Sequence, residues 1–255
     1  MFTFLYEVTV VSELLSTAKD NLSFVIVCLL VVAAIFLIAA AAQKFLCRDL
    51  SRTSKAKTVA FTAVFSAVGG ALMLLEIPLF FAPSFYKIDL SELPVLLCAF
   101  YLGPTAGVTA EFLKVVIKLL LKGSSTAFVG DFSNFVVGCT FILPASVIYH
   151  CSRTKKTAVV GMIFGTLIMT ALGSFFNAVY LVPKFAEMFH MELDAIVGMG
   201  TAVNSHITDL TTLILFAVVP FNLLKGSVDS VLTFFLYKRL ERVFFRERRG
   251  GKKKK

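Results

Sequence analysis

A chain of 255 residues that is 58% hydrophobic and only 16% charged, with mean hydropathy +0.86, is not a water-soluble domain, which runs near half apolar and a quarter charged. Its repeated apolar runs approach the ~20 residues needed to cross hydrocarbon, so the chain reads as polytopic. The net charge of +9 does not mark a nucleic-acid binder. Basic residues gather at Lys44, Arg48, Arg52, Lys55 and Lys57, at Arg153, Lys155 and Lys156, and from Lys238 onward. Each group ends an apolar run, as the positive-inside bias produces, and no motif interleaves aromatics with the charges.

Residues 1–20 are mixed and weakly amphipathic. Residues 22–42 form an uninterrupted apolar run behind an acidic-leaning start, which predicts a retained helix with its N-terminus outside rather than a secretory signal. The next predicted span covers 58–82. Small residues recur along it at Ala56, Ala60, Ala63, Ala67 and Ala71, a pattern that lets helices approach closely in lipid. Spacing alone leaves packing within the chain and docking of a partner equally open.

The stretch Ser84–Pro94 concentrates Lys87, Asp89, Glu92 and two aromatics between apolar runs. Ser91 is the expected N-cap of a helix that carries Glu92 and Pro94 in its first turn and stops at Gly103-Pro104. About ten residues at ~1.5 Å each span half a bilayer. A half-length element buried in protein implies an indentation at its end, with the loop as its lid.

Residues 105–121 form the following span, with Glu111, Lys114 and Lys118 near one face and an internal Glu111–Lys114 contact expected. After an outside turn at 123–126 come spans 128–149 and 158–182, then 207–237 with a kink at Pro220. Parity supports this layout. Six crossings place Arg52, Arg153–Lys156 and Lys238 on one side, and the leading helix makes seven, N-terminus out and C-terminus cytoplasmic. The expected units are an extra helix over 1–50, a six-helix core over 51–243 and a basic tail over 244–255.

No phosphate-binding loop, serine elbow or zinc-helix motif is present, and the three histidines share no useful spacing. Five cysteines without a Cys-x-x-Cys pair suggest packing, neither zinc nor disulfides. The expectation is no enzyme, no catalytic residue and no metal. What remains is amide chemistry. Ser133, Asn134, Asn177 and Asn222 offer it toward the outer leaflet, and Asn134 and Asn177 fall at the level of the 84–94 loop, beside Phe and Tyr. Such groups either bridge helices or read the edge of a flat, uncharged ligand.

Five groups of residues carry a family resemblance: Phe85-x-Lys87-x-Asp89-x-Ser91-Glu92-x-Pro94, Leu102-Gly103-Pro104-x-x-Gly107, Asn134 in its Gly-rich turn, Asn177 with Val182-Pro183, and Phe221-Asn222-Leu223-Leu224-Lys225 followed by Asp229-Ser230 and Tyr237-Lys238. The chain resembles the substrate-binding (S) components of energy-coupling factor vitamin transporters, most closely the riboflavin-specific subfamily, over about Arg52 to Arg242. The resemblance implies an all-α, six-helix membrane fold that binds riboflavin as transported ligand and needs no cofactor. It implies a coupling subunit and two ATPase subunits as partners, in a cell membrane whose lipid surrounds the chain, with no nucleic acid. Asn134 and Asn177 match positions expected to bond the isoalloxazine edge. Phe85, Lys87 and Asp89 match the capping loop, and Asn222 and Lys225 a motif that is ligand-facing or structural. Tyr86, Gly130 and Tyr180 complete the expected substrate site, and Ala63, Ala67 and Ala71 match the coupling-subunit contact. Other vitamins (pantothenate, folate), flavin nucleotides, a lipid-active membrane enzyme and a purely structural subunit are the competing readings. The leading helix lies outside the family's six-helix pattern.

Overall fold

The structure, a computed structural model, describes residues 22–47 and 54–244. The expectations for residues 1–20, for Arg48 and Arg52 and for the lysine-rich tail lie outside the described residues. Among the described residues ten α-helices follow one another: α1 (Leu22–Phe45), α2 (Lys55–Met73), α3 (Glu92–Leu102), α4 (Pro104–Lys122), α5 (Val129–Ser152), α6 (Lys155–Phe176), α7 (Val182–Met188), α8 (Leu193–Thr201), α9 (Leu210–Leu213) and α10 (Val219–Phe244). Among the described residues, five helical stretches are long and apolar enough to cross a membrane: α1, α2, α5, the run Lys155–Met188 and the run Leu210–Tyr237. Helix α4 is also long enough, and its Glu111, Lys114 and Lys118 are buried in protein. Helix α3, at 11 residues, is the half-length element foreseen.

The second span ends earlier than expected. Helix α2 stops at Met73 rather than at 82, because the residues after it serve the loop. Ile77–Pro78 (β1) pairs antiparallel with Lys87–Ile88 (β2), in register Ile77 with Ile88 and Pro78 with Lys87. This hairpin folds 74–91 back over one end of the bundle, here called the cap end. A proline at an edge position without a donor suits such a short ladder.

Two prolines share one local device. Pro183 and Pro220 each stand two residues after a π-helical turn, Asn177–Leu181 and Ile214–Val218 respectively. A proline ring collides with the carbonyl four residues earlier. Those carbonyls belong to Val179 and Phe216, both inside the wide turns. The chain therefore continues through both prolines, and the two π turns pack against each other at the level of the cap. The kink expected at Pro220 is taken up by the turn before it.

Away from the cap the bundle closes tightly. Tyr149 and Tyr237 share a hydrogen bond at 3.1 Å, and the Ala99 carbonyl meets Ser146 Oγ at 3.2 Å and His150 Nε2 at 3.0 Å. The leading helix lies along α4 and α5. Phe24 meets Phe132 edge-on, Phe36 meets Phe112 likewise, and Gln43 Oε1 accepts the Thr105 N–H at 3.1 Å at the start of α4. Helix α1 thus runs antiparallel to α4 and satisfies one of its orphan donors.

Candidate functional site

Two adjoining chambers, of about 120 and 450 Å³, open at the cap end and share Phe85, Lys87, Thr126, Gly130, Asn134 and Phe185 as walls. The inner chamber adds Tyr86, Asn177, Phe221, Asn222 and Lys225. The outer one adds Glu76, Asp89, Lys118 and Asp131. The inner volume is below the roughly 300–1,000 Å³ of small-molecule pockets. Phe85, Tyr86 and Lys87 of the loop form part of its wall.

Phe85 stacks on Phe185 at 5.0 Å, and Tyr86 leans on Phe221 at 5.3 Å. Tyr86 also donates its hydroxyl to Asn177 Oδ1 at 3.0 Å, and Asn177 Nδ2 donates to the Gly173 carbonyl at 2.8 Å. Burial pushes the Tyr86 phenol above its ordinary range, so it acts as a donor. Asn177, at the first position of the π turn, is thus occupied by the lid. Asn134 Oδ1 and Asn222 Nδ2 are buried and lack any hydrogen-bond partner. One is an acceptor and the other a donor, and both residues line the inner chamber. Buried amides left unpaired are costly, and both groups are free to bond to whatever occupies the chamber.

Below the lid lies a charge network. Lys114 Nζ sits 2.7 Å from Glu92 Oε1 and 2.8 Å from Glu111 Oε1. Lys225 Nζ sits 3.3 Å from Glu92 Oε1 and 3.5 Å from Asp89 Oδ2. The Glu111–Lys114 contact expected from spacing is present, and Glu92 joins it from α3. Gly138 of α5 makes room: a Cβ there would overlap the Glu111 and Glu92 carboxyl groups. Lys118 pairs with Asp131 at 2.5 Å, and Ser124 caps the same carboxylate.

Asp89 anchors the loop. Its Oδ1 accepts the Ser91 N–H at 2.8 Å, so it, and not Ser91, caps the approach to α3; the Ser91 side chain makes no cap bond. Burial pushes the Asp89 carboxyl up, but Lys225, Lys114 and the bonds from Ser91 outweigh it and hold it at about 2. At the rim, Glu76 takes Lys87 at 3.0 Å and Lys122 at 2.7 Å. Burial pushes Glu76 up, and the two lysines overcome this to hold it below its usual range.

Of the residues expected at the site, the structure brings Phe85, Tyr86, Lys87, Gly130, Asn134, Asn177, Asn222 and Lys225 to the inner chamber and Asp89 to the outer. Tyr180 is not among the walls. It stacks on Phe176 at 5.5 Å, turned toward α1, because the π turn rotates it away from Asn177. Ala63, Ala67 and Ala71 lie on an exposed face of α2, away from the cleft. Phe185, Phe221 and Ile196 line the cleft without having been singled out as site residues. A phenylalanine in a chain with 27 of them carries no local signal.

A polytopic helical bundle with a lidded cleft at one end, built on a half-length helix, is the architecture of a membrane subunit that captures a small molecule. The sequence model of the "ECF transporter, substrate-specific component" family matches residues 57–237, so the chain belongs to that family. Helix α1 precedes the match. The chain is 29% identical over 188 residues to the riboflavin transporter FmnP of Bacillus subtilis (strain 168), covering 73% of this chain and 93% of that one. It is 30% identical over 178 residues to the riboflavin transporter RibU of Staphylococcus aureus (strain TCH60), covering 70% and 87%. A solved S component of a bacterial ECF transporter superposes with TM-score 0.59 at 29% identity, covering 74% of this chain and 98% of the other. The chain is therefore a multi-pass membrane transport component and not an enzyme.

Proposed function

We propose that this chain captures riboflavin on the outer side of a cell membrane and delivers it inward when coupled to an energising module. The observation that carries the reading is the pair of unpartnered buried amides, Asn134 Oδ1 and Asn222 Nδ2, in a cleft walled by Phe85, Tyr86, Phe185 and Phe221. A flat ring system with alternating donors and acceptors on one edge satisfies both at once, and the aromatic walls take its faces. The names of the relatives point to the same ligand. Asn177 joins the site once the ligand displaces the Tyr86 hydroxyl. Lys87 and Asp89 act through the loop, and Lys225 holds that loop down.

The chain has no phosphate-binding loop, so energy comes from partners: a transmembrane coupling subunit and two ATPase subunits. The exposed Ala63, Ala67 and Ala71 offer a flat helical face for the coupling subunit, which small residues allow to approach closely. The basic clusters set the N-terminus outside and the C-terminus in the cytoplasm. Fluorescence titration of the purified protein tests the ligand. Saturable quenching by riboflavin, with no competition from pantothenate or folate, is expected. Pantothenate or folate binding in place of riboflavin contradicts the reading.

A further inference from the structure

The charge network under the lid does not balance. Asp89, Glu92, Glu111 and Asp229 bring four carboxyl groups, against two ammonium groups on Lys114 and Lys225, all buried. The neighbouring Lys118–Asp131 pair is neutral in itself. Asp229 is 0% exposed, and neither of its carboxyl oxygens has a hydrogen-bond partner. It stands one helical turn beyond Lys225 on α10, the i, i+4 spacing at which side chains meet. Glu92 of α3, Lys114 of α4 and Asp89 of the loop are the other charged groups within electrostatic reach of it. Helix α5 adds only Cys139 near the glutamates, and α6 has no titratable side chain between Thr157 and Phe176.

Two uncompensated charges in a dry interior are far too costly to persist, and such groups neutralise instead. Glu92 and Glu111 face each other across Lys114, an arrangement in which two carboxyl groups share one proton. That leaves one more negative charge, and the unpartnered carboxyl of Asp229 is where it is quenched.

We propose that this network is a proton site linked to the lid: with the loop closed, Asp229 carries a proton, and when the loop lifts, Lys225 passes from Asp89 to Asp229 and that proton leaves to water. The count follows from the geometry. Lifting Asp89 into water leaves three carboxyl groups and two ammonium groups inside, which need one proton rather than two. Lys225 is then never without a partner, so the lid moves without stranding a buried charge. Ligand access needs the lid to lift, since Phe85, Tyr86 and Lys87 of the loop wall an inner chamber of only about 120 Å³. Lid opening releases a proton, so it becomes easier as pH rises, by up to tenfold per pH unit. The empty and loaded closed states hold the same protons, so affinity itself stays constant.

Two measurements test this, and only the second rests on riboflavin being the ligand. Infrared spectroscopy of the ligand-free protein at neutral pH should show a protonated carboxyl band that shifts in heavy water, with one component lost in Asp229→Asn. Asp89→Asn should lose the same component, because the network then needs one proton fewer, which keeps the test open if Asp229→Asn does not fold. Stopped-flow with riboflavin should show association and dissociation rates rising together with pH while Kd holds, with both rates flat in either variant. Absence of a protonated carboxyl band in the wild-type protein overturns the proposal. So do wild-type rates that do not change with pH. Failure of riboflavin to bind would count against the ligand and leave the infrared result to decide the proton site.

Discussion

Lys225 Nζ lies 3.5 Å from Asp89 Oδ2, joining the second turn of the last helix to the loop that closes the cleft. Both side chains are nearly inaccessible, at 6% and 4% exposure. A charge pair so buried is weak evidence of net stability, yet removing one partner alone is severe. Lys225→Met is expected to cost roughly 3–5 kcal/mol, read from thermal unfolding in detergent, and Asp89→Asn less. The double variant should recover part of that loss. Strict additivity of the two effects would show that the pair is not coupled.

The pH response of this tie has a definite sign. Asp89 is held at about 2 in the folded chain, against ~3.9 when unfolded. A depressed carboxylate stabilises fully above its unfolded value and loses that contribution as pH falls through the folded one. Asp89→Asn also releases the proton held at Asp229, so the wild-type lead in unfolding midpoint should widen as pH falls from neutral to about 4. Below about 4 the unfolded Asp89 takes up a proton as well, and the lead should widen no further. Convergence of the two midpoints already near pH 6 would contradict the assignment.

The amides should separate by role. Asn134→Ala is expected to weaken riboflavin binding by roughly 1–3 kcal/mol, since it strands a ligand group in the cleft. Asn177→Ala should do likewise. Tyr86→Phe should act in the other direction. It keeps the ring against Phe221 but removes the hydroxyl that occupies Asn177, so affinity should improve by about 1 kcal/mol. Titration of the three variants settles the order, and weaker binding in Tyr86→Phe would show that its hydroxyl serves the ligand.

Enlarging Ala67 to Phe should leave riboflavin affinity unchanged, because the side chain faces away from the cleft. Uptake by cells expressing the full transporter should fall sharply if that face meets the coupling subunit. Undiminished uptake would assign the alanine stripe to lipid.

Much of this architecture was legible in the residues. Apolar runs of membrane length, the short helix ended by Gly103-Pro104 and the polar loop before it all express local physics: burial, capping and chain reach. Asn134, Asn177 and Asn222 stood out because an amide inside an apolar run must find a partner. The end of α2 at Met73 was not legible. Leu74, Leu75 and Ile77 continue the apolar run, and only the pairing of Ile77 and Pro78 with the returning loop draws the chain out of the helix. The place of Tyr180 depended on a π turn, whose cause is the collision of Pro183 with a carbonyl four residues back. The role of Asp229 emerged only when α10 was set beside α3 and α4. Nothing in a single strand of sequence tells that Lys225 has two carboxylates above it and another below.

The central claim, that the cleft is shaped for riboflavin, is tested most directly by the visible absorption spectrum of the protein purified from cells supplied with the vitamin. A yellow protein, with flavin bands that survive washing and diminish in Asn134→Ala, is the expected result. A colourless protein that gains no flavin bands on incubation with riboflavin would contradict the account.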